Sequence, residues 1–401
     1  METPTPPNES SAFLDEFLVR IQDFEDYRVE RTKEHPLPML MFAAIGSCLT
    51  GGESFNDMEA FAHAHQDFLR THLGLLHPPS HDTFNRLFQM IRPECFNAFL
   101  SSFAEGLRRV AANAAAANGD TMPEVIAFDG KTTRRSHTGA TPALHTLNVW
   151  AGRNRLIIGQ LAVDAKSNEI TAVPELMKTL SIKGCVVTAD ALNTQKDIAA
   201  QAVSQGADYL LPLKGNPPLA AAEVGAFMED LASRREPGFE SVEKGHGRVE
   251  TRRVWQSADV AWFADGPQWK GLRSFALLRA VREFPDGRRE ESQRLYLSSL
   301  GMDEKRLAHA ARAHWGVENA CHWCLDVTFG EDQCRARSRN AAGNLGALRK
   351  HSLNLLRLSG EPMRMKHVSL RGKRYFASLN FEYLLSIICV SQIKDSNQIK
   401  I

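Results

Sequence analysis

Two aspartates close apolar runs in this sequence, each at a place where a carboxylate can do chemistry. Asp129 ends the run EVIAFD (124–129) and Asp190 ends CVVTAD (185–190), so both are expected to project from strand ends, the edge of an open sheet where ligands collect. Alone, an aspartate there ordinarily caps a turn; its meaning depends on a third partner. HWGVENACHWCLDVTFGED (314–332) offers one, because Glu318, His322 and Asp326 fall at i, i+4 and i+8 on one helical face. Trp315, Val317 and Trp323 surround Glu318 in sequence, which predicts partial burial, and a buried carboxylate needs a hydrogen-bond partner or a cation.

Carboxylates from two strand ends and a helix suit hard, oxygen-preferring Mg²⁺ or Mn²⁺. Two such ions, roughly 3.5 to 4 Å apart, activate an attacking water or 3′-hydroxyl and stabilise the departing oxygen of an in-line displacement. On this reading Asp129 bridges both ions, and Asp190 and Glu318 complete the opposite coordination shells. Asp326, Glu331 and Asp332 stay open as alternatives for the third ligand.

The chain carries 48 basic and 47 acidic side chains, a balance that argues against a uniformly polyanion-coating protein and directs attention to local asymmetry. From Asp129 to Arg155 five cations (Lys131, Arg134, Arg135, Arg153, Arg155) face the single acid Asp129, and from Arg335 to Arg374 eleven face only Glu361. Such asymmetry favours contact with a phosphate backbone. Lys131, Arg134 and Arg135 are placed to hold the scissile-strand phosphates. Lys214 and Asn216, in a LysGlyAsn turn after a strand, can present an ammonium and backbone amides. His246 and Arg248 in GHGR are equally suited to DNA contact or to a β-turn around the glycines. His314, Asn319 and Arg335 complete the expected DNA-facing set. Trp255, Trp262 and Trp269 could stack on a flipped base, but a core role is the stronger expectation. Cys321 and Cys324 in CHWC lack a second CxxC at zinc-ribbon spacing and sit in a helical pattern, so a structural role outweighs zinc or redox chemistry.

Length predicts more than one packed unit. Residues 1–11 read as a disordered lead with neither the basic start nor the apolar core of a secretory signal. Apolar residues recur at three- and four-residue intervals through 12–115, a helical unit with breaks at Gly51–Gly52 and at HPPSHD (77–82), where Ser80 is a plausible N-cap. Its longest apolar stretch, Leu37 to Thr50, is too short for a bilayer span and fits a buried helix. The alanine-rich 111–123 reads as a fraying end and linker. Strands EVIAFD, LHTLNVWAG and RLIIGQLAVD follow, the last two joined through 152–154 as a hairpin, and then strand and helix alternate to 219. That succession indicates an α/β mixed sheet flanked by helices. Residues 220–300 read as a partly β-rich insertion with a hairpin around ProAspGly, 301–360 as the returning core with the third carboxylate, and 361–401 as a basic segment and tail. Seven scattered cysteines and the absence of an apparent membrane anchor fit a reducing cytoplasm.

The segments PPSHDTFNRLF, IAFDGKTTRRS, KSNEITAVPELM, VVTADALNTQKDIA, GADYLLPLKGNPP, GHGRVETRR, HWGVENACHWCLDVTFGED and NLGALRKHSLNLLR occur in this order between about residues 20 and 385. In them the sequence resembles the H-repeat-associated, ISAs-type transposases, a branch of the bacterial insertion-sequence DDE transposases. The resemblance implies an RNase H-like catalytic core behind a helical transposase-associated domain. Asp129 and Asp190 match the first two family aspartates, and Glu318 looks like the third carboxylate. A Tyr, Arg, Glu, Lys signature surrounds that glutamate in related transposases; here Ala311, His314 and Leu325 stand where Tyr, Arg and Lys would fall. The implied activity is metal-dependent cleavage at terminal inverted repeats and joining of the 3′-hydroxyl to target DNA, by a homodimer in the bacterial cytoplasm, on the nucleoid when bound. A DNA-binding derivative that does not cut and a nuclease that does not join are the competing expectations.

Overall fold

Of the thirteen residues of α1 (Leu37–Leu49), only Pro38 escapes burial, as the unbroken apolar run predicts. Three shorter helices pack around it: α2 (Phe55–Ala64), α3 (Gln66–Leu73) and α4 (His81–Met90). Ser54 and Asp57 form a reciprocal capping box that starts α2. Ser80 stands at the N-cap of α4, with its hydroxyl 3.3 Å from that of Thr83. The computed structural model describes residues 17–19, 21, 24–26, 28–99, 101, 104, 108, 122–137, 142–163, 169–215, 218–245, 247–362 and 365–388. The expected lead, nearly all of the expected linker, Asn216, His246 and the end of the tail lie outside them. No helix among the described residues is long and apolar enough to cross a membrane.

The sheet begins with β1 (Val125–Thr132), β2 (His145–Ala151) and β3 (Leu156–Val163), paired antiparallel as a meander. Helix α5 (Glu169–Lys178) leads to β4 (Val186–Ala189), which lies parallel to β1 on its other side, and α6 (Lys196–Ser204) leads to β5 (Asp208–Leu213), parallel to β4. The order β3-β2-β1-β4-β5, three antiparallel strands followed by two parallel ones flanked by helices, is the RNase H-like arrangement. After α7 (Pro218–Arg234) come β6 (Phe239–Gly245), β7 (Arg248–Ser257), β8 (Ser274–Glu283) and β9 (Arg289–Ser298). The β8–β9 hairpin turns at ProAspGly as its sequence predicts. Beyond that expectation, β9 pairs antiparallel with β5 from Leu210↔Ser298 to Leu213↔Leu295, so these strands extend the first sheet to nine.

Alternation along β1 divides its side chains between two layers. Ile126 and Phe128 join Val173, Met177, Ile198 and Val224 from α5, α6 and α7. Val125 meets Leu307, Ala310 and Ala311 of α8 (Glu304–His314), and Ala127 joins the helical core. That second layer continues through a π-helical turn (Val317–His322), α9 (Trp323–Phe329) and α10 (Ala341–Leu358), and then α11 (Leu370–Leu379) and α12 (Phe381–Ile388). Helix α10 bonds the sheet on one side, where Asn354 exchanges hydrogen bonds of 3.0 and 2.8 Å with the Ile157 backbone. On the other, Asn344 Nδ2 donates to Phe88 and Ile91 carbonyls at the end of α4. One apolar core therefore runs from the N-terminal helices to the sheet.

This packing changes the reading of the second basic run. Arg349, Lys350, Lys373 and Arg374 are buried. Arg374 donates to the Cys48 and Thr328 carbonyls, Lys373 to those of Leu356 and Ser359, Arg349 to that of Glu53, and Lys350 to Gln160 Oε1. Helix ends and loops leave carbonyls without partners, and long cationic side chains satisfy them from a distance.

Candidate metal centre

The parallel ladder of β1 and β4 ends at Phe128↔Ala189; Asp129 follows within β1, and Asp190 follows just past the end of β4. Strand β1 does not stop there, as its apolar run suggested; it continues to Thr132 on β2 alone, with Asp129 opposite Asn148. The two carboxylates thus sit where neighbouring strands part. Alternation sends Asp129 and Lys131 toward the layer of the π turn and α9, and Gly130 toward α5.

Glu318 and His322 reach Asp129 from the π turn, a distortion that recurs at functional sites. His322 Nδ1 lies 3.6 Å from Asp129 Oδ2 and 3.5 Å from Glu318 Oε2. Asp129, Glu318 and His322 can each offer one ligand atom, all within 4.8 Å of one another. The partial burial expected of Glu318 is not found: its side chain is 62% exposed, and Trp315 and Trp323 are exposed beside it. Val317 takes the buried position instead, and adjacent helical residues face different ways. Asp326 does not follow Glu318 to the site. It accepts from Lys131 Nζ at 2.7 Å, and Glu331 and Asp332 lie 3.2 Å from the same ammonium.

Behind the two aspartates runs a hydrogen-bonded chain that sequence reasoning missed. Asn193 donates to Asp190 Oδ1 through its backbone N–H and through Nδ2, both at 2.9 Å, and Nδ2 also donates to Glu169 Oε2 at 2.8 Å. Glu169 Oε1 is 2.5 Å from His145 Nε2, and His145 Nδ1 is 2.7 Å from Thr132 Oγ1. Glu169 and Asn193 are wholly buried. A Cβ on Gly130 would lie 2.3 Å from Glu169 Oε1 and 2.7 Å from His145 Nε2, so any side chain at 130 must displace this buried pair. The available signal was a glutamate and an asparagine inside KSNEITAVPELM and ADALN, polar residues next to the apolar positions of α5 and β4.

The electrostatics favour a cation. Burial, then the charges of Asp190, Glu318 and Glu169, push the Asp129 carboxyl up to about 7. Burial, then the ammonium groups of Lys131 and Lys350, push the His322 imidazole down to about 4, which leaves it neutral and able to ligate. Burial likewise pushes His314 down to about 4. Clustered oxygen donors with one neutral imidazole fit a divalent ion.

The expected DNA-facing residues divide. Lys131 is buried and held by three carboxylates, so its ammonium is engaged inside the protein rather than free for a phosphate. Arg134 and Arg135 are exposed; Arg134 touches Asp332 at 3.3 Å with a side chain 84% exposed. Lys214 and His314 line a cleft of about 610 Å³ with Asp190, Arg294 and Trp315. There the Arg294 guanidinium lies 3.9 Å from the Trp315 ring centre, and His314 Nδ1 is 3.0 Å from Thr188 Oγ1. Arg248 and Asn319 border the adjoining recess with Arg294 and Trp315. Arg335 is exposed in a different groove, against Glu53, Asn85 and Arg337. Trp255 and Trp269 are buried, as a core role predicts, whereas Trp262 packs on Phe227, Phe263 and Phe275 but stays 38% exposed. Cys321 and Cys324 are buried, and burial pushes the Cys321 thiol up to about 12.

The chain matches the family model described as Transposase DDE domain over residues 120–355, and the model described as DDE_Tnp_1-associated over residues 18–104. The H repeat-associated putative transposase YhhI of Escherichia coli is 32% identical over 394 residues, 94% of this chain and 99% of the relative. An uncharacterized protein in the dhlA 3′ region of Xanthobacter autotrophicus is 37% identical over 279 residues, 69% of this chain and 91% of its own. Among solved structures, the piggyBac transposase synaptic complex with hairpin DNA aligns over 97% of this chain and 80% of that one at 11% identity and a TM-score of 0.42, a likeness too distant to build on. With the DDE model spanning most of its sheet and a relative alike along nearly all its length, the chain belongs to the DDE transposase family.

Proposed function

We propose that this protein cleaves DNA at the ends of a transposable element and joins the freed 3′-hydroxyl to target DNA, using Asp129, Asp190 and Glu318 to hold two Mg²⁺ or Mn²⁺ ions. The observation that carries the reading is the placement of Asp129 at the parting of β1 and β4, where burial and then the neighbouring carboxylates raise its proton affinity. Bound there, the ions would supply Lewis-acid stabilisation of charge on the phosphate and a more acidic attacking hydroxyl. Asp129, Asp190 and Glu318 would hold the ions, and neutral His322 would add a donor without adding charge. Asn193 and Glu169 fix the rotamer of Asp190. Arg134 and Arg135 hold backbone phosphates beside β1, and Lys214 with Arg294 does so on the Asp190 side. Cutting two ends calls for two such sites, hence a homodimer on DNA in the cytoplasm.

A donor plasmid carrying the element's terminal repeats tests this with Mg²⁺ and a separate target. Cleaved and joined products are expected from the wild type, and neither from Asp129→Asn or Glu318→Gln. Cleavage without joining would make the protein a nuclease; a mobility shift without cleavage would make it a DNA-binding derivative.

A further inference from the structure

A second cluster of metal-ligating groups lies among the N-terminal helices. Glu34 and His35 precede α1, and His77 lies in the loop between α3 and α4. The three side chains can each offer one ligand atom, all within 4.8 Å of one another. His77 Nε2 is 2.8 Å from Glu34 Oε1, and the His35 and His77 rings are 4.8 Å apart at 78°. His35 is only 3% exposed, and its Nδ1 has no hydrogen-bond partner. A buried ring nitrogen without a partner in native structure asks for an explanation. The Glu34–His77 pair does not supply it. Both side chains are more than half exposed, such pairs contribute little, and either can turn to a cation at small cost.

We propose that Glu34, His35 and His77 form a metal site distinct from the Asp129 centre, for a borderline divalent cation such as Zn²⁺. Two imidazoles and one carboxylate are a donor set for zinc with one position left to water, whereas Mg²⁺ prefers oxygen. The site ties the entry of α1 to the loop that leads into α4. These segments already meet, since a Cβ on Gly74 would lie 3.5 Å from the Pro36 ring. Binding to the folded state alone stabilises it by mass action, so the helical unit becomes firmer when zinc is present.

The test uses the full chain carrying Asp129→Asn, which removes the carboxylate centre from the count. Calorimetric titration with Zn²⁺ should show one site, and Co²⁺ should give the visible absorption of a four-coordinate ion that Zn²⁺ abolishes and Mg²⁺ does not. Adding His77→Ala, a change at an exposed side chain, should weaken Zn²⁺ binding at least tenfold and remove the Zn²⁺-dependent rise in Tm; His35→Gln should do the same. If His35→Gln fails to fold, His77→Ala decides. No Zn²⁺ binding in the Asp129→Asn protein, or unchanged affinity after His77→Ala, overturns the proposal and leaves an ordinary surface His–Glu pair.

Discussion

Asn193 holds Asp190 twice, through its backbone N–H and through Nδ2, each 2.9 Å from the same carboxylate oxygen. The second of these donors is shared with buried Glu169. Asn193→Ala removes the shared donor while leaving every proposed ligand in place, so it separates positioning from ligation. Stability should fall by about 1 to 3 kcal/mol, the usual result of leaving a buried acceptor without its donor. The Mg²⁺ needed for half-maximal cleavage should rise several-fold, with part of the rate recovered at saturating Mg²⁺. Asp190→Ala should recover none. An unchanged Mg²⁺ requirement in Asn193→Ala would remove it from the site.

Gly130→Ala tests the same chain from the other side. The new methyl would meet Glu169 and His145 well inside contact distance, and both are buried, so they have little room to retreat. Overpacking of this kind costs about 1 to 3 kcal/mol. Urea unfolding should show that loss, with cleavage reduced as Glu169 is displaced from Asn193. An alanine variant as stable as wild type would mean that the Glu169–His145 pair is free to move.

The proton balance of the centre predicts a pH signature in chelator-treated protein. Asp129 is raised from 3.8 to about 7, so the folded state binds its proton more tightly than the unfolded chain, and its contribution to stability is lost as pH rises from about 4 to 7. His314 and His322, lowered from 6.5 to about 4, act with the opposite sign, and their contribution is lost as pH falls through the same interval. Wild-type melting alone therefore mixes the two. The difference in Tm between Asp129→Asn and wild type isolates the carboxylate: it should be smallest near pH 4, grow toward pH 7 and then level off. Saturating Mg²⁺ should shrink it by stabilising only the wild type. A pH-independent difference would mean that Asp129 titrates normally.

How much of this was legible beforehand depends on how local each cause is. Asp129 and Asp190 were visible because a strand's apolar run ends where its layer ends. The continuation of β1 to Thr132 was not, because Gly130, Lys131 and Thr132 are held by pairing with β2 and by partners on α5 and α9. Glu318 could be placed on a helix, but not its exposure, since the π turn shifts the periodicity that such a reading assumes. The hairpin of β8 and β9 could be read from its turn, whereas the β5–β9 pairing that merges the insertion with the main sheet joins segments more than 80 residues apart. Buried cations misled most. A run of Lys and Arg looks alike whether it faces solvent or the carbonyls of a neighbouring loop.

Lys131 and its neighbours Arg134 and Arg135 make that distinction measurable. Lys131 joins β1 to Asp326, Glu331 and Asp332, and its burial opposes the charge less than Glu331 and the other carboxylates favour it. Lys131→Met should lose stability toward the low end of the about 3 to 5 kcal/mol typical of breaking a buried ion pair, since Asp326 is one-third exposed and Lys350 and Arg349 still lie near Glu331. Arg134→Ala and Arg135→Ala, at exposed positions, should change stability by no more than about 0.5 kcal/mol. Their effect should appear in DNA binding. Each phosphate contact removed lowers the slope of log K against log salt by about one, which fluorescence anisotropy at several salt concentrations can read. The crossed outcome, a stable Lys131→Met protein with a reduced salt slope, would return Lys131 to the phosphates and leave the three carboxylates to be explained by something else.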